Sequence, residues 1–197
     1  MNTTVRCAAT MLAQTQAEWA AMQAREPGAD LWLFAYGSLI WKTEFPVTER
    51  RPARVHGHHR ALQMWSRVNR GTPERPGLVL ALISGGSCRG MALRVPAADV
   101  PETLPLLWHR EMPNPVYDPK WLPCDTPEGP VTALSFTLSR RSPNYTGLLS
   151  DERYREIFAH SRGRYGTTLD YTRKTCEHLR ELGIHDAELE RLIRLAP

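Results

Sequence analysis

The chain has 197 residues, 42% of them hydrophobic, which is enough for one sizeable core and one domain. No stretch approaches the roughly 18 uninterrupted apolar residues of a membrane span, so a membrane-spanning helix is excluded. The net charge of +4 is carried almost wholly by arginine, since Lys42, Lys120 and Lys174 are the only lysines. No acidic residue falls between Glu49 and Glu74, whereas Arg50, Arg51, Arg54, Arg60, Arg67 and Arg70 all do. Such a run makes one face positive, for nucleic acid or for a small anionic substrate, or it is a set of scattered solvated arginines.

The chain opens on a weak apolar run broken by Gln14, Gln16 and Glu18 before a signal-peptide core can form. Residues 10–24 read as an appended helix, with Met11, Trp19 and Met22 on a loose stripe, and a cytoplasmic protein is expected. Short strand-like runs come next, at 31–36, 59–65, 78–83, 88–95 and 131–138, punctuated by Gly and Pro. "LVLALI" is continuous and reads as a strand buried on both faces. After Pro96 a helix is expected, with Asp99 as N-cap and Glu102 completing a capping box. The last third turns helical. Ser150 caps "DERYREIFAHSRG". Leu169, Thr172, Cys176, Leu179 and Leu182 recur at helical spacing up to Gly183, and Asp186 opens a last short helix. Strands followed by helices give an α+β class, a mixed or antiparallel sheet curling into a small barrel.

"LWLFAYGSLIWK", residues 31–42, is a strand interrupted at Gly37 and Ser38 that returns at once to bulky apolar residues. Gly37 permits a tight turn and close approach to a ligand. The N–H groups of Gly37, Ser38 and Leu39 then form either an anion-binding nest suited to a carboxylate or a plain turn. A site of this kind needs an acid/base, and a carboxylate in apolar surroundings has its pKa lifted towards the working range. Glu111 in "LLWHREMP" answers that description. Its negative charge at a helix end opposes the helix dipole, which argues against a chance placement, although a surface glutamate is the plain alternative. Glu102 lies nine residues earlier, two and a half turns away, and faces the opposite side of a straight helix.

Other chemistries fit less well. His56, His58 and His59 form "HGHH", but no Cys or carboxylate stands at ligand spacing beside them, so surface histidines are favoured over a metal site. Ser38 is not in a G-x-S-x-G context. Cys88 reads as a small buried thiol rather than a nucleophile, and the four cysteines as reduced thiols.

"FAYGSLIWK", "HRALQMWSRVNRGTPERPGLVLAL", "GSCRGMALRVP", "LWHREM" and "NYTG" occur in that order. Together they resemble the ChaC family of γ-glutamylcyclotransferases over about residues 31–195. The first thirty residues lie outside the resemblance, giving a division into an N-terminal helical extension (1–30) and a catalytic domain (31–197). The resemblance implies a small β-barrel with flanking helices, and cleavage of glutathione to 5-oxoproline and cysteinylglycine with no metal or cofactor. It places the γ-glutamyl group on Tyr36, Gly37, Ser38 and Leu39, makes Glu111 the catalytic acid/base, and puts Tyr145 at the substrate. Arg70 is the candidate for the glycyl carboxylate. Thr43 stands where many members carry Pro. A second upstream carboxylate near the site in some members falls on Glu102, which the helical geometry disfavours. The expected partner is the small-molecule substrate, without nucleic acid, membrane or an obligate protein partner. Alternatives are a cyclotransferase for other γ-glutamyl peptides or amines, a basic RNA-binding module, and a non-catalytic γ-glutamyl sensor.

Overall fold

A computed structural model describes residues 7–197; residues 1–6, the start of the expected extension, lie outside the described residues. Five strands close into a barrel: β1 (Leu31–Ala35), β2 (Glu49–Ser66), β3 (Gly77–Val95), β4 (Asp118–Asp125) and β5 (Val131–Leu138). Their order around the barrel is β1-β3-β2-β4-β5. Parallel pairing of β5 with β1 (Trp32 opposite Ala133) and with β3 (Leu82 opposite Thr137) shuts it, and the other pairs are antiparallel. The α+β class and the barrel expected from the sequence are what the chain forms.

Two strands are longer than their apolar runs. β2 begins ten residues before the expected 59, because its first half alternates: Ala53 and Val55 point to the core while Arg54 and His56 face solvent. β3 runs unbroken through "SGGS". The glycines there do not end the strand. Gly85 and Gly86 take positive φ, and Gly57 does so on β2 where the pairing register shifts. The paired ribbon therefore bends at a bulge instead of turning back. β4 is not among the expected strands, since "DPKWLPCD" carries two prolines.

Helices cover the barrel: α1 (Ala8–Arg25), α2 (Val100–Glu111), α3 (Asp151–His160), α4 (Thr168–Glu181) and α5 (Ala187–Ile193). Ser150, Thr167 and Asp186 each accept the backbone N–H three residues on, which is N-capping as such residues provide it. The expected box at Asp99 does not form. Asp99 closes a 3-10 turn that runs straight into α2, so it sits in helical rather than extended φ/ψ and its side chain caps nothing. α1 is firmly docked. Trp19 stacks on Trp121 at 6.3 Å, Trp121 Nε1 donates to Glu18 Oε2 at 2.9 Å, and Trp108 Nε1 donates to the Ala8 carbonyl at 3.1 Å. A two-residue hairpin, β6 (Arg162–Gly163) with β7 (Gly166–Thr167), leads into α4.

No helix among the described residues is long and apolar enough to cross a membrane. The four cysteines are free thiols, Cys7 exposed and the others buried.

Candidate active site

The chain leaves β1 at one barrel end through Tyr36 and enters a 3-10 turn, Ser38–Ile40. Leu39 and Ile40 are buried in the core and anchor the turn. The turn's own bonds use the Gly37 and Ser38 carbonyls, which accept from Ile40, Trp41 and Lys42. Among the described residues, none of these bonds uses the N–H of Gly37, Ser38 or Leu39. Gly37 allows a close approach: a Cβ there would stand 3.2 Å from the Tyr171 hydroxyl and 3.9 Å from Leu80 Cβ.

α2 ends against this turn. Arg110 donates through Nε to Glu111 Oε1 at 2.9 Å and through Nη2 to Ser38 Oγ at 2.9 Å. Its Nη1 donates to the Lys42 carbonyl. One planar guanidinium therefore holds both the Glu111 carboxylate and the Ser38 hydroxyl. Arg110 and Ser38 are 72 residues apart in the chain, and this one side chain closes the gap.

Glu111 retains 18% of its side-chain exposure. Burial pushes its pKa above the ordinary carboxylate value, and the Arg110 charge pulls only part of the way back. Three buried phenols feel its charge. Tyr36 donates to the Phe136 carbonyl at 2.8 Å, and Tyr117 is hydrogen-bonded to Tyr36. Both are pushed well up, first by burial, with the Glu111 charge adding to it. Tyr171, hydrogen-bonded to the Leu80 backbone, is pushed up to about 12 by burial, again with Glu111 contributing. All three stay protonated at neutral pH and feel the charge of one ionisable carboxyl.

Arg70 joins the group from the far side. Its guanidinium lies 5.0 Å from the Tyr171 ring centroid, and Nη1 donates to the Tyr165 carbonyl. Tyr145 stands differently. Its hydroxyl accepts from Arg140 at 2.9 Å, and Arg140 also holds the Ser84 carbonyl. Glu102 is exposed near the start of α2, which continues helically through Pro105, so it stays two and a half turns from Glu111.

The residues of the other candidate chemistries have their own surroundings. Burial pushes the Cys88 thiol up, away from nucleophilic use. His56 faces Asp125 at 3.1 Å and His59 Nδ1 faces the Gly85 carbonyl at 2.8 Å, so these two rings point to separate partners. Among the described residues no three His, Cys, Asp or Glu side chains gather to hold a metal ion. Much of the arginine run has partners within the chain, although Arg50, Arg54 and Arg67 are exposed. Arg50 holds the Ile40 carbonyl, Arg51 pairs with Glu49, Arg60 with Asp186, and Arg67 with Asn144.

The family model described as ChaC-like protein matches residues 31–196. The chain belongs to the ChaC-like family. This ChaC-like chain is similar to the glutathione-specific gamma-glutamylcyclotransferase of Escherichia coli (strain K12), at 33% identity over 175 residues, 88% of this chain and 76% of that protein. It is 32% identical to the glutathione-specific gamma-glutamylcyclotransferase 1 of Rattus norvegicus, over 83% of this chain and 77% of that one. A solved yeast gamma-glutamyl cyclotransferase specific to glutathione superposes with a TM-score of 0.76 at 21% identity, covering 85% of this chain and 96% of that one, which shows the fold.

Within this ChaC-like chain, Arg110, Tyr117 and Tyr171 join the candidate site without being singled out by the sequence. Arg110 is visible there only as a neighbour of Glu111. Tyr117 and Tyr171 read as ordinary core and helix residues, and only the closure of the barrel brings them to Tyr36. A polar tip on each is the one available signal, because a buried phenol hydroxyl needs a partner.

Proposed function

We propose that this chain cleaves glutathione to 5-oxoproline and cysteinylglycine, with the substrate's α-amine as nucleophile and Glu111 as acid/base. The observation that carries the reading is Arg110, which joins a buried, pKa-raised carboxyl to the turn that clamps the γ-glutamyl group. The names of the relatives support the choice of substrate.

In this mechanism the α-carboxylate sits on the N–H groups of Gly37, Ser38 and Leu39, with Tyr36 closing the pocket beside them. Glu111 takes a proton from the α-ammonium. The freed amine attacks the γ-carbonyl carbon and a C–N bond forms, closing a five-membered ring. Collapse of the tetrahedral intermediate breaks the bond to the cysteinyl nitrogen, Glu111 returns its proton there, and the ring nitrogen's second proton passes through Glu111 to the same departing amine, which leaves as an ammonium. No water is consumed. Holding amine and carbonyl together can supply about 7–11 kcal/mol of the barrier. Protonated Tyr171, whose hydroxyl lies beside Gly37, is a donor for the oxyanion of the intermediate. A raised Glu111 pKa suits both halves of the proton relay, because the ideal acid/base titrates near the working pH.

Arg70 adds positive potential beside the site for the substrate's anionic end. The assignment of Tyr145 to the substrate side rests on the family resemblance, and the hydrogen-bond network favours Tyr117 and Tyr171 as the lining phenols. Every residue of the mechanism falls within 31–197, which we take as the catalytic domain. Residues 1–30 we take as an extension that buttresses it through α1.

Incubation with glutathione and measurement of 5-oxoproline and cysteinylglycine tests the reading. Equal release of both is the expected result. Release of glutamate in place of 5-oxoproline would mean hydrolysis and would overturn the mechanism.

A further inference from the structure

Tyr165 is a large aromatic that is 56% exposed, yet it is rigidly placed. It sits at the tip of the β6–β7 hairpin. That hairpin is laid backbone to backbone on the segment after β2: Arg164 N–H donates to the Val68 carbonyl at 2.8 Å and Tyr165 N–H to the Asn69 carbonyl at 2.9 Å. Gly163 makes the contact possible, since a Cβ there would fall 2.5 Å from backbone atoms of Val68, Asn69 and Gly71.

Two independent bridges tie this hairpin to the candidate active site. Arg70 bonds the Tyr165 carbonyl while lying over Tyr171. Lys42 puts its Nζ 5.8 Å from the Tyr165 ring centroid while its own carbonyl is held by Arg110. Arg164 lies 5.2 Å from the same ring. The rim therefore combines an apolar wall with exposed positive charge, close in the chain to the turn that would hold the γ-glutamyl group.

We propose that Tyr165 and Lys42 form the subsite for the distal part of a γ-glutamyl peptide with a free C-terminal carboxylate, the ring taking the middle side chain and the Lys42 ammonium the carboxylate. This rests on the cyclotransferase reading of the site. A γ-glutamyl peptide carries two carboxylates, and the turn at residues 37–39 accounts for one. The dipeptide beyond the γ-carbonyl reaches at most about 7 Å, and Lys42 is joined directly to the turn, its N–H donating to the Ser38 carbonyl at 2.9 Å. Arg70 is less free to meet the second carboxylate, being committed to the Tyr165 carbonyl and the Tyr171 face. Lys42 is paired with Glu44 at 3.0 Å, but both side chains are more than half exposed, so that pair is weak and exchangeable.

The test compares glutathione with its C-terminal amide, using 5-oxoproline release by the full chain. Lys42→Met keeps the aliphatic stem and removes the charge. It is expected to lower the ratio of kcat/KM for glutathione to that for the amide about fivefold, through KM. Added salt should lower the wild-type ratio in the same direction. Tyr165→Ala should weaken both peptides alike and leave the ratio in place. If wild type turns over glutathione and Lys42→Met leaves the ratio within about twofold, the subsite is wrong and the catalytic reading stands. If wild type releases 5-oxoproline from neither peptide, the catalytic reading falls and the subsite with it.

Discussion

Glu111 is held under two opposed demands, and the opposition is measurable. Burial disfavours its charge more than Arg110 favours it, so its folded pKa lies above the unfolded one. A carboxyl shifted this way binds its proton more tightly when folded. Its contribution to stability is complete below the ordinary value near 4.5 and is lost as pH rises through the shifted value. Glu111→Gln cannot ionise. It is expected to be as stable as wild type or more so at pH 7, with the difference vanishing in acid, while turnover drops by at least about two decades. Thermal melts at pH 4 and pH 7 alongside a glutathione assay check this, and a variant less stable at pH 7 would mean that Arg110 dominates. The acid limb of kcat/KM should have its midpoint above 4.5 for the same reason. Gly37 gives a second prediction. Gly37→Ala brings a methyl to 3.2 Å from the Tyr171 hydroxyl, tight enough that one of them must move. Activity should fall, and Gly37→Ala combined with Tyr171→Phe should regain part of the loss in stability without regaining full turnover.

Elements differ in how they are held, and caps show it. Ser150 accepts the Arg153 N–H at 3.3 Å at the start of α3, whereas Asp99 caps nothing at the start of α2. Ser150→Ala should cost about 1 kcal/mol in urea denaturation and Asp99→Ala close to nothing, although both sit at helix starts. The same contrast explains what the sequence reveals. Ser150 and Asp186 are legible as caps because each is an extended residue just before its helix. Asp99 misleads because the chain reaches it already helical, through a 3-10 turn that no local pattern distinguishes from a cap. β4 is hidden because Pro119 and Pro123 argue against a strand, yet the strand forms opposite β5 with only a short pairing to β2 on its other side. "SGGS" looks like punctuation, whereas its positive-φ glycines bend a continuous ribbon opposite a register shift.

At the scale of the whole molecule, the barrel and the helices packed on it assemble the candidate site. Tyr36 follows β1, Tyr117 precedes β4, Tyr171 belongs to α4 and Glu111 ends α2. The clamp and the carboxyl are legible as motifs because each carries a local oddity, a glycine break in a strand and an acid at a helix end. The phenols are not, since a Tyr in an apolar run reads as core until its hydroxyl's neighbours are known. α1 belongs to this scale too. It contacts Trp108 and Trp121, so removing residues 1–25 should expose two indoles and lower the melting temperature markedly, with a fluorescence shift to the red. Unchanged melting would show that the extension does not support the barrel.

The substrate supplies its own nucleophile in this mechanism, and the protein holds it against Glu111. Offering the wild-type protein glutathione and N-acetylglutathione side by side, and measuring 5-oxoproline and cysteinylglycine, tests that most directly. Equal release of both products from glutathione and none of either from the acetylated peptide is the expected result. Cysteinylglycine released from N-acetylglutathione, or glutathione cleaved without 5-oxoproline, would contradict it.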